Sequence, residues 1–100
     1  MTKAVWKYPL DVTDEQTIEL PRGAQILCAQ PQYGNNAVFV WVLVDPDAVA
    51  EPRRVQIYGT GSPVPDNPGR YINTFILRGG ALVFHLFEGV PGARAYGLDP

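Results

Sequence analysis

The chain has 100 residues, of which 46% are hydrophobic and 18% charged, with a formal net charge of −2. This length supports one domain with one modest core, and no basic run exceeds Arg53-Arg54, which argues against duplex nucleic acid as partner. The charged fraction lies below the usual value of about 25%, which favours a buried interface between copies of the chain.

Ten prolines and ten glycines interrupt the chain, and the runs between them are rich in β-branched and aromatic residues. That pattern is typical of an all-β fold. The predicted strands cover residues 4–8, 16–20, 24–30, 37–44, 53–58, 71–77 and 81–87.

The fourth predicted strand is apolar on both faces, with four valines alternating with Phe39, Trp41 and Leu43. Such a strand is central or covered on both sides. A buried helix is the competing interpretation, but eight residues is short for a helix and β-branching disfavours it.

Two segments between the predicted strands also indicate local structure. Residues 47–51 can form one helical turn before Pro52 stops it. Gly79-Gly80 predicts a primed two-residue hairpin turn.

Together these elements predict one all-β domain over residues 1–88, an antiparallel β-sandwich or partly open barrel of about six or seven strands. Residues 89–100 are rich in Gly, Ala and Pro and are predicted to be a flexible tail. The alternative is an arm that packs on a neighbouring copy through Tyr96 and Leu98.

The single cysteine, Cys28, excludes an intramolecular disulfide, and its apolar surroundings predict a buried, inert thiol. The first residues lack the apolar segment of a signal peptide. The longest apolar run, Ala37–Val44, is too short to span a membrane. We therefore expect a soluble, cytoplasmic protein.

The loop Gly59-Thr60-Gly61-Ser62 is the candidate ligand site. Its backbone N–H groups and two hydroxyls can hold a phosphate without any lysine. Nearby arginines can supply charge and flanking tyrosines can stack on a base; these are Arg53, Arg54, Arg70, Tyr58 and Tyr71. It is not a P-loop, and the competing interpretation is a plain turn that its glycines permit.

Catalytic and metal chemistry find little support. His85 is the only histidine, whereas a general base needs a partner in reach and a metal site three or four ligands. It is predicted to be a satisfied core or interface histidine, and Trp41 and Phe87 are the other candidate interface residues. Asp45 and Asp47 lack the rest of a calcium loop. We expect no catalytic residue, no metal and no cofactor.

Trp6 and Trp41 fall inside predicted strands and are expected in the core, although either can anchor an interface. With the apolar two-faced strands, they favour a homo-oligomer, most simply a dimer.

Six blocks of sequence follow one another in order: Trp6-Lys7-Tyr8-Pro9, Asp14-Glu15-Gln16-Thr17-Ile18, Leu20-Pro21-Arg22-Gly23-Ala24, Val44-Asp45-Pro46, Tyr58-Gly59-Thr60-Gly61 and Val83-Phe84-His85-Leu86-Phe87-Glu88. In these blocks, over roughly residues 4–88, the chain resembles a family of short bacteriophage and prophage proteins. The resemblance carries no residue role.

What the resemblance implies is an accessory protein that binds and blocks a host component. The leading hypothesis is a non-enzymatic protein that antagonises bacterial immunity by sequestering a nucleotide signal in the 59–62 loop. The first alternative is a protein–protein inhibitor of a defence complex, similar in action to an anti-CRISPR protein. The second alternative is a structural or virion-associated β module.

Overall fold

The computed structural model describes residues 2–34 and 37–89. Within them the chain forms seven strands and one 3-10 turn, in the order β1 (Ala4–Leu10), β2 (Glu15–Pro21), β3 (Gln25–Gln32), β4 (Ala37–Val44), β5 (Ala50–Gly59), β6 (Arg70–Leu77), the turn at Arg78–Gly80, and β7 (Leu82–Glu88).

The strands form two antiparallel sheets, with the orders β1-β4-β3 and β2-β5-β7-β6. The predicted all-β class is confirmed, and the architecture is a sandwich whose sheets do not close into a barrel. The predicted tail lies outside the described residues from residue 90 onward.

The core lies between the two sheets. β4 is central in its sheet, as its two apolar faces predicted, and its four valines all point into the core. Each fully buried aliphatic side chain contributes about 1.5–3 kcal/mol relative to exposure. The opposite sheet contributes Ile18, Leu20, Val55, Ile57, Phe75, Leu77 and Leu86.

Two predictions about connections are wrong. The proposed helical turn at 47–51 is absent because Asp45 closes a turn, accepting the N–H groups of Asp47 on its side chain and of Ala48 on its backbone. β5 then begins at Ala50. The Gly79-Gly80 hairpin is also longer than predicted, because Leu77 pairs with Leu82 across a four-residue connection that begins at Arg78.

Two side chains are less buried than the sequence predicts. Trp6 is 40% exposed because β1 is an edge strand and the opposite sheet does not cover it there. Cys28 is half-buried, since it follows a bulge in β3 and lies opposite Trp41 on the outer face of its sheet.

One side chain joins the two sheets. Asn73 on β6 accepts the N–H of Ala29 on Oδ1 and donates from Nδ2 to the same residue's carbonyl, both at 2.8 Å. Its carboxamide therefore occupies the place of a neighbouring strand at the edge of β3. The sandwich is closed on this side, between β3 and β6, by a side chain instead of a backbone ladder.

Candidate functional site

The outer face of the four-stranded sheet gathers several predicted site residues. On β5, the residues that alternate with buried Val55 and Ile57 point outward. Cross-strand pairing arranges the outward residues of β5, β7 and β6 in two rows, Tyr58–His85–Thr74 and Gln56–Phe87–Tyr71. We call this surface the platform and define it as Gln56, Tyr58, Thr60, Tyr71, Thr74, Val83, His85 and Phe87.

Three aromatic rings pack edge to face on the platform. The ring of Phe87 lies between two tyrosines, 5.6 Å from the centroid of Tyr58 and 5.5 Å from that of Tyr71. Such pairs contribute about 0.5–1.5 kcal/mol each beyond their buried area. Because Tyr71 remains 53% exposed, the cluster presents a fixed aromatic surface to solvent.

A chain of hydroxyl groups holds the imidazole of His85. The Tyr71 hydroxyl lies 2.7 Å from Thr74 Oγ1, which lies 2.9 Å from His85 Nδ1. On the other side, His85 Nε2 lies 2.8 Å from Thr60 Oγ1, which donates to the Val83 carbonyl. A neutral imidazole has one N–H group, so one ring nitrogen donates to its threonine and the other accepts from its threonine. Both ring nitrogens have partners.

The predicted ligand loop is a tight turn. The N–H of Ser62 donates to the carbonyl of Gly59 at 3.0 Å, and the N–H of Thr60 donates to that of Val83 at 3.1 Å. Gly61 takes a positive φ of 87°, which explains the glycine there. Two N–H groups of the loop are therefore already bonded within the chain.

Two of the predicted arginines lie away from the platform. Arg53 Nε is 2.5 Å from Glu88 Oε2, and Arg70 Nη2 is 3.2 Å from the other oxygen of the same carboxylate. Arg53 also donates to the carbonyl of Ala24. Glu88 pairs across the sheet with the inward-facing Val55, so this cluster lies on the inner side, at one end of the sandwich.

The third arginine, Arg54, lies on the outer face beyond Gln56 and forms an ion pair with Glu15 of β2. Both side chains are more than 40% exposed. An exposed pair of this kind is worth about 0–1 kcal/mol. Arg54 is therefore the predicted arginine on the platform side, and its exposed ion pair can exchange partners.

Burial affects one titratable group of the platform. Desolvation raises the pKa of the Tyr58 phenol above its ordinary value, because burial penalises the charged phenolate. The hydroxyl therefore stays neutral over a wide pH range and remains able to donate a hydrogen bond.

Gln56 is the one buried polar side chain among the described residues, only 2% exposed although its strand position faces the platform side. Its Nε2 donates to the carbonyl of Gly89, and its Oε1 has no partner among the described residues. The side chain thereby ties the end of β7 to β5.

The three predicted interface residues do not share one surface. His85 and Phe87 lie on the platform, whereas Trp41 lies on the outer face of the three-stranded sheet, opposite Lys7 of β1. The two outer faces point in opposite directions. A single flat contact can therefore use His85 and Phe87 together but cannot include Trp41.

A pocket of about 230 Å³ lies at the end of the platform, lined by Gly59, Thr60, Ala81, Leu82, Val83 and Phe84. A second, of about 430 Å³, lies between the end of β1 and the start of β4, and Asp11 is its one charged lining residue. In the described part of the chain, no three His, Cys, Asp or Glu side chains are placed to hold a metal ion. Among the same residues, no helix is long and apolar enough to cross a membrane.

A family model described as "Domain of unknown function (DUF7352)" matches residues 1–96. The chain belongs to this family. No curated protein and no solved structure matches it. The family description names no activity, so the platform's geometry is the basis for a function.

Sequence reasoning missed three members of the platform, Gln56, Thr74 and Val83. Thr74 and Val83 join Thr60 and His85 only because β5, β7 and β6 are neighbours in that order. Thr60 and Thr74 are far apart in the chain, and the order β5-β7-β6 cannot be read from spacing alone. The alternation of residues along β6 was the available signal, since Thr74 lies between the inward-facing Asn73 and Phe75.

Proposed function

We propose that this protein is a non-enzymatic binding protein that contacts a protein partner through the platform. The observation that carries the proposal is the aromatic cluster of Tyr58, Phe87 and Tyr71 beside the hydroxyl–imidazole chain, on one open sheet face. Aromatic residues are enriched in protein interfaces, where they supply rigid contact area.

The net charge of the platform favours a protein partner over a nucleotide. Arg54 is the arginine on this face, and it is paired with Glu15, so the surface carries no net charge from these groups. Arg53 and Arg70 share Glu88 on the other side of the sheet. A bound di- or triphosphate has several negative charges to neutralise, and this face offers one exchangeable arginine.

The size of the pocket beside Thr60 also favours a protein partner over a nucleotide. The pocket beside Thr60 has a volume of about 230 Å³, below the range of roughly 300–1,000 Å³ that holds drug-sized ligands. The loop N–H groups of Thr60 and Ser62 are bonded to backbone carbonyls, which leaves fewer donors for a phosphate. Sequestration of a nucleotide signal stays a prediction that the experiment below also tests.

The biological setting of the proposal comes from the sequence resemblance. A phage or prophage protein that acts in the host cytoplasm and binds a defence protein fits a small domain with an open aromatic sheet face. We therefore propose that the protein antagonises bacterial immunity by occupying a surface of a host defence complex.

Matched tyrosine variants on the two outer faces test the platform. Tyr71→Ala removes an exposed ring from the platform, and Tyr33→Ala removes a 70% exposed ring beside the other sheet. A host protein captured by the tagged wild type is purified, and its Kd is measured for each variant. Loss of a central aromatic anchor costs about 2 kcal/mol, or roughly 30-fold in Kd, so we expect this loss for Tyr71→Ala and none for Tyr33→Ala.

Two results would overturn the proposal. Equal binding by both tyrosine variants would place the contact elsewhere. Saturable heat on titration with cyclic di- or trinucleotides or ADP-ribose derivatives, abolished by Arg54→Ala, would replace the protein partner with a nucleotide. Plaque counts on a defence-positive strain, with and without expression of each variant, test the anti-immunity setting independently.

A further inference from the structure

The edge strand β1 exposes an apolar segment along the side on which no other described strand lies. Among the described strands, β1 pairs with β4 alone. Val5 is 54% exposed on the outer face, and Trp6 is 40% exposed on the inner face. Edge strands usually carry charges or prolines that prevent pairing with another chain. In β1 these are Lys7 and Pro9, and the first half of the strand lacks them.

Hydrogen bonds elsewhere in the sheet fix which backbone groups of β1 are free. Both the N–H and the C=O of Ala29 bond to Asn73, so they point away from β4. Its partner Val40 must therefore direct its own groups toward β1, where it pairs with Tyr8. Residues alternate along a strand, so every second residue of β1, counted from Tyr8, faces β4.

The remaining residues of β1 direct their backbone groups to the open edge. These include Val5 and Lys7, whose N–H and C=O groups bond to no other described strand and can pair with a further one. Pro9 falls in the same set, which agrees with the rule that a strand proline faces away from its neighbour. The open edge of β1 therefore offers a short, regular series of donors and acceptors.

We propose that a second copy of this chain pairs antiparallel with β1, about a two-fold axis at Trp6. In this register each Val5 lies opposite Lys7 of the second copy, and these pairs exchange the free backbone hydrogen bonds. The two Trp6 side chains lie opposite each other at a non-hydrogen-bonded position, where side chains approach most closely. The result is a continuous six-stranded sheet.

Charge repulsion favours the register with its axis at Trp6 over the register with its axis at Lys7. An axis at Lys7 would place two ammonium groups directly opposite each other, which is destabilising. With the axis at Trp6, the stem of each lysine instead covers an exposed Val5. The lysine head is already engaged on the outer face, 2.9 Å from Gln32 Oε1 and 4.5 Å from the ring centroid of Phe39, so pairing does not bury an unpaired charge.

The proposed contact is independent of the platform. A two-fold axis that relates paired strands runs perpendicular to the sheet, so both copies present their platforms on the same side. The proposed β1–β1 interface uses one strand of seven residues from each copy. Its buried area therefore belongs to the small interface class, below about 1,200 Å². We therefore expect a reversible dimer whose population depends on concentration.

Cysteine cross-linking reads the register directly. In a Cys28→Ser background, Trp6→Cys places two thiols opposite each other at a Cβ separation of about 4.5–5.5 Å, near the range in which a disulfide forms. We expect a covalent dimer from Trp6→Cys under mild oxidation and little from Lys7→Cys. Cross-linking of Lys7→Cys in place of Trp6→Cys would overturn the register.

A proline variant tests the proposed β1–β1 pairing without removing a backbone hydrogen bond between β1 and β4. Val5→Pro deletes an N–H that faces the open edge, while Val5→Thr keeps it and serves as the control. Native mass spectrometry over a concentration series should show dimers for wild type and Val5→Thr and monomers for Val5→Pro, with all three melting at similar temperatures. A wild type that stays monomeric throughout, or a dimer that Val5→Pro leaves intact, would overturn the proposal.

Discussion

The carboxamide of Asn73 should be the most sensitive polar group in the fold. Replacing it in Asn73→Ala removes two hydrogen bonds of 2.8 Å that join β6 to Ala29 on β3. Ala29 is fully buried, at 0% exposure, so its N–H and C=O would lose their partners without gaining water. Unsatisfied buried groups cost more than a missing bond is worth.

The expected loss in the free energy of unfolding follows from the two backbone groups of Ala29. Two orphaned backbone groups at about 1–3 kcal/mol each amount to about 2–6 kcal/mol in the free energy of unfolding. A domain of this size has about 5–15 kcal/mol in total. With about 4–8 °C per kcal/mol, the melting temperature should fall by roughly 10–50 °C.

Urea unfolding followed by tryptophan fluorescence measures this free energy. Gln30→Ala is the matched control, because Gln30 is an exposed residue on the same strand as Ala29, and it should change stability by less than about 0.5 kcal/mol. Asn73→Asp adds a pH test. An ionised carboxyl there can accept the Ala29 N–H but cannot donate to its carbonyl, so this variant should regain stability as the pH falls and the group is protonated.

The reasoning fails if Asn73→Ala and Gln30→Ala unfold at the same urea concentration. In that case the groups of Ala29 find other partners, and the two sheets are held together by apolar packing alone. An Asn73→Asp variant whose stability does not rise at low pH would contradict the donor role of Nδ2 specifically.

Three further changes have defined outcomes. Glu88→Gln should lower the free energy of unfolding by about 1–3 kcal/mol in urea titrations, because Arg53, only 19% exposed, loses its closer carboxylate partner and keeps only Glu51 at 3.9 Å. Gly69→Ala should cost more than the roughly 1–2 kcal/mol of left-handed strain alone and lower the melting temperature accordingly, since φ is +97° and the added Cβ would meet the Glu88 backbone. Tyr58→Phe should flatten the loss of stability at alkaline pH in pH-dependent unfolding, because the raised pKa of Tyr58 makes its contribution full below about pH 10 and lost as the pH rises through the folded pKa.

Each change has a control in the same chain. Glu15→Gln breaks only the exposed pair with Arg54 and should cost under about 1 kcal/mol. Gly61→Ala carries left-handed strain with open space around the added Cβ, so its difference from Gly69→Ala isolates the clash. For Tyr58→Phe the reference is the unaltered chain measured over the same alkaline range, whose loss of stability should be the steeper. Equal effects within any pair would contradict the corresponding explanation.

Local signals in the sequence were sufficient for most of the fold. The alternation in β4 and the spacing of proline and glycine placed seven strands close to their observed bounds, since both report directly on strand pleat and turns. The exceptions arose where a side chain governs the backbone. Asp45 closes a turn with its own carboxylate, and Arg78 takes a positive φ that residue type does not predict.

The candidate site was predictable only in part, because a site depends on strand order. Tyr58, Thr60 and Tyr71 were recognised beside the loop and do lie on one face. The arginines could not be placed, since an ion pair such as Arg53–Glu88 joins residues 35 positions apart. Strand register decides on which face of the sheet each arginine lies. A shift of one residue in the register moves a side chain to the opposite face.

The carboxamide of Asn73 has a consequence for aggregation as well as for stability. A two-sheet sandwich has four edge strands, and each is a template for amyloid-like growth when its backbone is free. By covering the edge of β3, Asn73 hides one of these templates with a single side chain. A chain that loses this residue should therefore be more prone to fibril formation in its folded form, before any global unfolding takes place.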